Sequence, residues 1–220
     1  GLDEDLKTRF LAESLFIRAH YFYHLVQQFG DIPMPLKPTN SVETTAHKTK
    51  VDEVWNQIVT DLEFAVENLP ETYQASEFGH ITKYAAMHHL SRVYLTLKRS
   101  DDDLKKALNY AEQVINSGKY SLVKSHAELW DINNKNNSEV LFSVLYTQNA
   151  ELNGDGNTAH MYFCSAYSEE HPAVKRVIEY GRPWSRERSS DFAISLFDKT
   201  KDQRWDDCFI SRWNVTENSV

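Results

Sequence analysis

The sequence predicts a mainly α protein, and three observations carry that expectation. Glycine and proline are scarce, 7 and 6 among 220 residues, about half of average usage. Apolar residues recur at spacings of three and four over four separate stretches. Leu, Ala, Glu and Lys are abundant, and turn residues mark the ends of those stretches instead of the close, even spacing of a many-stranded sandwich.

The first helix is predicted over residues 3–29. Leu11, Leu15, Ala19, Phe22, Val26 and Phe29 line one face. Phe16 and Tyr23 widen that stripe, so the helix is expected to be buried on two sides. Gly30 suits its end, and Pro33, Pro35 and Pro38 forbid its continuation. Residues 30–50 read as an extended loop. The second helix is predicted over 51–69, with Val51, Val54, Trp55, Ile58, Leu62, Ala65, Val66 and Leu69 inward. Asp52, Glu53, Gln57, Asp61 and Glu67 fall mostly on the other face. Leu69-Pro70 ends it, because a residue before proline is biased out of the helical region.

The third helix is predicted over 82–98, with Thr82 as N-cap and Ala86, Leu90, Val93, Tyr94 and Leu97 inward. The fourth is predicted over 102–117. Asp101, Asp102 and Asp103 stand at its start, where acids cap free N–H groups and meet the positive end of the dipole. Leu104, Ala107, Leu108, Ala111, Val114 and Ile115 form its core face, and Gly118 suits the left-handed position past its end. The short connection makes these two helices an antiparallel hairpin, with Ala85, Ala86, Ala107 and Ala111 allowing close approach. The pair resembles a tetratricopeptide unit without its strict repeat; a plain helical hairpin explains the same residues. After 118 the texture changes. Residues 140–146 read as one β-strand, residues 147–190 as loop-rich, and residues 191–198 as a short helix.

Composition excludes several functions. Net charge is −8 without a basic stripe, which argues against nucleic acid as a partner. No apolar run exceeds four residues, so nothing reads as a transmembrane helix. No signal-peptide pattern opens the chain. Cys164 and Cys208 are too few for a zinc site or a disulfide framework; they could form one bridge, but read as two free buried thiols.

Catalytic and metal motifs are weak. His20 and His24 are four apart on one helix, but Tyr21 stands where a metalloprotease needs glutamate, so they read as packed histidines. Residues 153–157 (Asn-Gly-Asp-Gly-Asn) lack the spacing of a calcium loop. Carboxylates abound, yet nothing singles out the pair a glycosidase requires. No cofactor and no metal are expected. Aromatic clustering is more informative. Tyr162, Tyr167, Tyr180 and Trp184 fall where no helical period explains them. Such rings either pin a loop or form a platform for the C–H face of a sugar. Trp184, after the turn-like Gly181-Arg182-Pro183, leads as a ligand-binding candidate, with Tyr162, Tyr167 and Tyr180 beside it.

Several blocks together resemble one family. Residues 12–19 and 21–33, from Ala12-Glu13-Ser14-Leu15-Phe16 to Phe29-Gly30-Asp31-Ile32-Pro33, look like the signature helix of the SusD/RagB family. Val54-Trp55-Asn56-Gln57-Ile58 with Leu69-Pro70 is similar to the next block. Tyr84-Ala85-Ala86, then Val114-Ile115-Asn116-Ser117-Gly118-Lys119-Tyr120, then Asn137-Ser138-Glu139-Val140-Leu141-Phe142 follow in the family's order. Gly181-Arg182-Pro183-Trp184 and Leu196-Phe197-Asp198 with Asp202-Gln203-Arg204 close the series, and Ser189-Ser190 stands where the family has Pro-Thr.

The resemblance implies a single SusD-like domain fragment over 1–220, helical to about residue 130 and loop-rich beyond. It also implies tetratricopeptide-like helical hairpins and a non-catalytic, lipid-anchored protein of the outer-membrane surface. Such a protein binds a glycan or other nutrient and hands it to a SusC-like TonB-dependent transporter. Two other readings stand beside it: a helical glycoside hydrolase using two of the carboxylates, and a cytosolic tetratricopeptide scaffold that binds peptides.

Overall fold

The structure is a computed structural model of the 220-residue chain; it describes residues 1–42, 44–147, 149, 151, 156–163, 184 and 186–209. Helix α1 spans Glu4–Phe29 and buries Ala12, Phe16, Ala19, Phe22, Tyr23 and Val26. The buried stripe is therefore centred on Phe16, Ala19 and Tyr23. Leu11 and Phe29, expected inside, are 50% and 65% exposed, and Leu15 is half-buried. A second apolar row, Phe10, Ile17, Tyr21 and Leu25, stands exposed on the opposite side. The expected burial on two sides is thus met on one. Gly30 ends the helix at φ 68°, a conformation that costs a Cβ-bearing residue more, and its N–H reaches the Val26 carbonyl.

Helix α2 spans Val51–Asn68. The loop before it is closed at its neck by a bridge between Ile32 and Thr49. Asp31 supplies the cap that Lys50 lacks, accepting from the Val51 N–H at 3.0 Å and from Lys50 Nζ at 2.9 Å. Those two bonds hold the Asp31 carboxyl below the usual carboxylate range. Asp61, expected on the polar face, is instead 2% exposed. Arg18 of α1 donates to both its oxygens, at 2.8 and 2.7 Å, and Gln57 adds a third bond at 2.7 Å. A bidentate guanidinium is what lets a carboxylate enter the interface between two helices.

Residues 70–82 lie against α1. Tyr73 Oη donates to Glu13 at 2.7 Å, His80 Nδ1 lies 3.0 Å from the same carboxylate, and Arg9 pairs with Glu77. Helix α3 spans Lys83–Leu97, and the Thr82 hydroxyl accepts from the Ala85 N–H as expected of an N-cap. Helix α4 spans Asp101–Asn116, capped by Ser100. Asp103 turns back into the structure, 5% exposed, and accepts from the Arg99 N–H and Nε. The α3–α4 hairpin is close: Ser91 Oγ donates to the Ala107 carbonyl at 2.7 Å. Only Asp103, Ala107 and Val114 of α4 are buried. Leu108 and Ile115, expected inside, are 59% and 73% exposed, because α3 meets only the small-residue side of α4.

Residues 140–146 do not form the expected strand. Among the described residues there is no strand, and this run is irregular chain that packs Leu141 and Phe142 against the helices. Among the described residues its β-branched and aromatic side chains meet no neighbouring extended segment with which to share a ladder. Short helices follow: α5 His126–Leu129, α6 Ala159–Phe163, α7 Asp191–Ser195 and α8 Arg204–Cys208. Two units separate. The first comprises Gly1–Leu122 and Ser138–Val144 and holds α1 to α4. The second comprises Val123–Asn137 and the described residues from Leu145 onward.

Candidate functional site

The aromatic site lies in the second unit and is built on α6. The Asn157 side chain accepts from the Ala159 N–H at 3.0 Å and starts the helix. Gly156, at φ 70°, makes the turn before it. Trp184, Arg186 and Glu187 then lie along the carbonyls of α6. The Trp184 N–H donates to Met161 at 2.7 Å, and the Arg186 and Glu187 N–H groups converge on the Tyr162 carbonyl at 3.0 and 3.1 Å. Backbone bonds thus fix which rings meet. Tyr162 and Trp184 pack edge to face, centroids 4.8 Å apart and planes at 84°. Arg186 lies over both rings, 5.0 Å from Trp184 and 5.7 Å from Tyr162. A guanidinium on an aromatic face is an attractive contact, so Arg186 fastens the pair.

Beside this pair opens a shallow groove of about 340 Å³. Tyr146, Tyr162 and Phe163 give it aromatic walls, and Asn157, Thr158 and Glu187 give it polar groups. Tyr146 and Phe163 are 54% and 68% exposed, so their rings are free to meet a ligand. Apolar walls with a few polar groups are the ordinary make-up of a ligand site.

Of the residues expected to bind, the structure brings two together. Tyr162 lines the groove. Trp184, 37% exposed, stands behind it as the support of the Tyr162 ring and not as a wall. Tyr167 and Tyr180 lie outside the described residues, as do Cys164, residues 181–183 and residues 153–155 of the Asn-Gly-rich turn. The sequence reading missed Tyr146, whose run was assigned to a strand, and Glu187, one charge among many. No periodicity could have flagged either. Cys208, expected buried, is an exposed free thiol. His20 and His24 pack edge to face, centroids 4.7 Å apart, within a ring cluster in the first unit. Among the described residues no three His, Cys, Asp or Glu side chains are grouped to hold a metal ion, and no helix is long and apolar enough to cross a membrane.

The first unit defines a protein of consecutive helices packed as hairpins, α1 to α4, and the second unit holds the aromatic groove. Comparison with known proteins narrows the class. A SusD-like family model, described as "Starch-binding associating with outer membrane", matches residues 2–95. SusD-like protein P2 of Formosa agariphila is 31% identical over 189 residues, 83% of this chain and 35% of that protein. A laminarin-binding SusD-like protein of known structure superimposes with a TM-score of 0.61 at 28% identity, over 68% of this chain and 33% of that one. A protein crystallised with xylogluco-oligosaccharide gives 0.62 at 26% identity, over 66% and 31%. The chain belongs to the SusD family. It spans between 27% and 35% of the length of the curated relatives it matches.

Proposed function

We propose that this chain is part of a glycan-binding protein of the outer-membrane surface, and that the groove beside α6 is one of its ligand contacts. The observation that carries the reading is a groove walled by the exposed Tyr146 and Phe163 and the half-buried Tyr162, with Asn157, Thr158 and Glu187 among its lining. Aromatic faces take the C–H side of a sugar ring, while Asn157, Thr158 and Glu187 offer partners to its hydroxyls. Two structural neighbours named for laminarin and for xylogluco-oligosaccharide support a glycan. The family description supports an outer-membrane setting. Within this proposal the protein is lipid-anchored, binds without turnover, and passes its ligand to a SusC-like TonB-dependent transporter. Tyr167 and Tyr180 remain part of the proposed platform.

Calorimetric titration with laminarin and xyloglucan oligosaccharides tests it. Tyr162→Ala is expected to weaken binding by ~1–3 kcal/mol with the helical body still folded. Undiminished affinity in Tyr162→Ala and in Phe163→Ala would remove the groove from the site. Release of reducing sugar by the purified protein would replace binding with hydrolysis.

A further inference from the structure

Four histidines and an arginine meet where α1 faces α3, and glycan binding uses none of them. The His20 ring lies 4.7 Å from His24 and 5.3 Å from His89. His89 is 5% exposed. Phe16 and Tyr23 stand edge-on to it at 5.6 and 5.0 Å, and its Nε2 is buried without a hydrogen-bond partner. Phe142 closes over His20 at 6.0 Å. The charged and titratable groups facing His89 are His20 and His24 from α1 and His88 and Arg92 from α3. Helix α2 reaches the cluster through Trp55 against Tyr23, and residues 138–144 reach it through Phe142; both are uncharged. The largest influences on His89 among the described residues are burial and these four basic side chains.

A proton on His89 would therefore be a buried cation beside an arginine and three imidazoles, with no acceptor for its new N–H. We infer that this cluster makes the contact between α1 and α3 acid-labile: neutral imidazoles pack there as aromatic rings, and their protonation at mildly acidic pH drives the two helices apart.

The direction follows from linkage. Burial, then the charges of His20, Arg92, His88 and His24, push His89 down to about 3 from its ordinary 6.5. His20 is also held below the ordinary value, burial being the main cause. Groups held down in the folded state bind protons more readily once that state opens. Stability is therefore full above about pH 6.5 and declines as the pH falls toward 3. At about pH 5, His89 alone raises the opening constant ~30-fold over its neutral value.

The test uses the 220-residue chain and His89→Phe, which keeps the ring and its edge contacts. Urea unfolding is measured at about pH 7.5 and about pH 5, with imidazole titration by NMR and amide exchange alongside. The expected result is a rise of at least ~30-fold in the unfolding constant for the native chain and a rise ~30-fold smaller for His89→Phe. Protection is expected to fall first at residues 16–24 and 86–92. Equal pH dependence in the two proteins overturns the inference, as does a His89 imidazole titrating at its ordinary value or protection lost evenly from α1 to α4. Should His89→Phe fail to fold, the NMR titration of the native chain decides alone.

Discussion

Removing the carboxylate of Asp61 is the sharpest perturbation the fold offers. The side chain is 2% exposed and accepts three bonds, two from Arg18 and one from Gln57, all between 2.7 and 2.8 Å. Asp61→Ala strands the guanidinium and the Gln57 amide at the α1–α2 interface. Breaking one partner of a buried pair costs ~3–5 kcal/mol. Arg18 retains 28% exposure, so it can turn toward water, and the lower end, about 3 kcal/mol, applies. For a unit of this size that is a fall of roughly 10 °C in Tm. Asp61→Asn keeps an acceptor in place and is expected to cost less. Replacing both charges, as in Arg18→Met with Asp61→Leu, is expected to recover most of the loss, because the desolvation of two ions disappears along with their attraction. Urea unfolding of the two single variants and the double variant measures the coupling. An Asp61→Ala protein within about 0.5 kcal/mol of the native chain would refute the reasoning.

Three further outcomes are expected. Ala107→Leu overpacks the hairpin where Ser91 Oγ meets the Ala107 carbonyl and lowers stability by ~1–3 kcal/mol; an unchanged urea midpoint counts against that contact. Thr82→Ala removes the acceptor of the Ala85 N–H and the hydroxyl partner of Tyr120, costing ~1 kcal/mol in a denaturation series. Trp184→Ala withdraws the ring that backs Tyr162, so glycan affinity is expected to fall less than in Tyr162→Ala; the reverse order by calorimetry would make Trp184 the primary wall.

The ends of the helices were legible because local chemistry sets them. Gly30, Leu69-Pro70, Thr82 and Gly118 mark boundaries that the structure keeps within one or two residues. Faces were less legible. Asp61 reads as polar in any helical window, and its burial depends on Arg18, 43 positions away in sequence. Leu108 and Ile115 read as core because they lie on the apolar side of α4, but only one neighbouring helix packs there and it meets Ala107. The run at 140–146 has the β-rich composition of a strand without, among the described residues, a neighbour to pair with. In the candidate site, Tyr162 and Trp184 stood out as rings outside any period. Glu187 enters because its N–H and that of Arg186 bond to the Tyr162 carbonyl of α6, a contact with no local signature, and Tyr146 enters from a run far away in sequence.

The aromatic residues divide by what holds them, and that division separates scaffold from site. Phe16, Tyr23, Trp55 and Tyr94 recur at helical spacing, and each is less than a tenth exposed. Their energy comes from area removed from water, which is insensitive to ring orientation. Tyr162 and Trp184 bury less, so burial alone would leave their rings free to turn. Their orientation comes instead from three backbone N–H groups and one guanidinium. Those contacts are directional. Stacking on a sugar depends on ring orientation, because only the face offers the negative end of the ring quadrupole to C–H groups. A ring fixed in advance also loses less side-chain freedom when ligand arrives. Tyr162, at the groove and held by such bonds, meets that requirement, whereas the rings of the helical core, oriented by packing and closed to solvent, do not. On the proposed reading the binding role falls to the short α6 and to the residues bonded to it, Trp184, Arg186 and Glu187, and the long helices serve as scaffold.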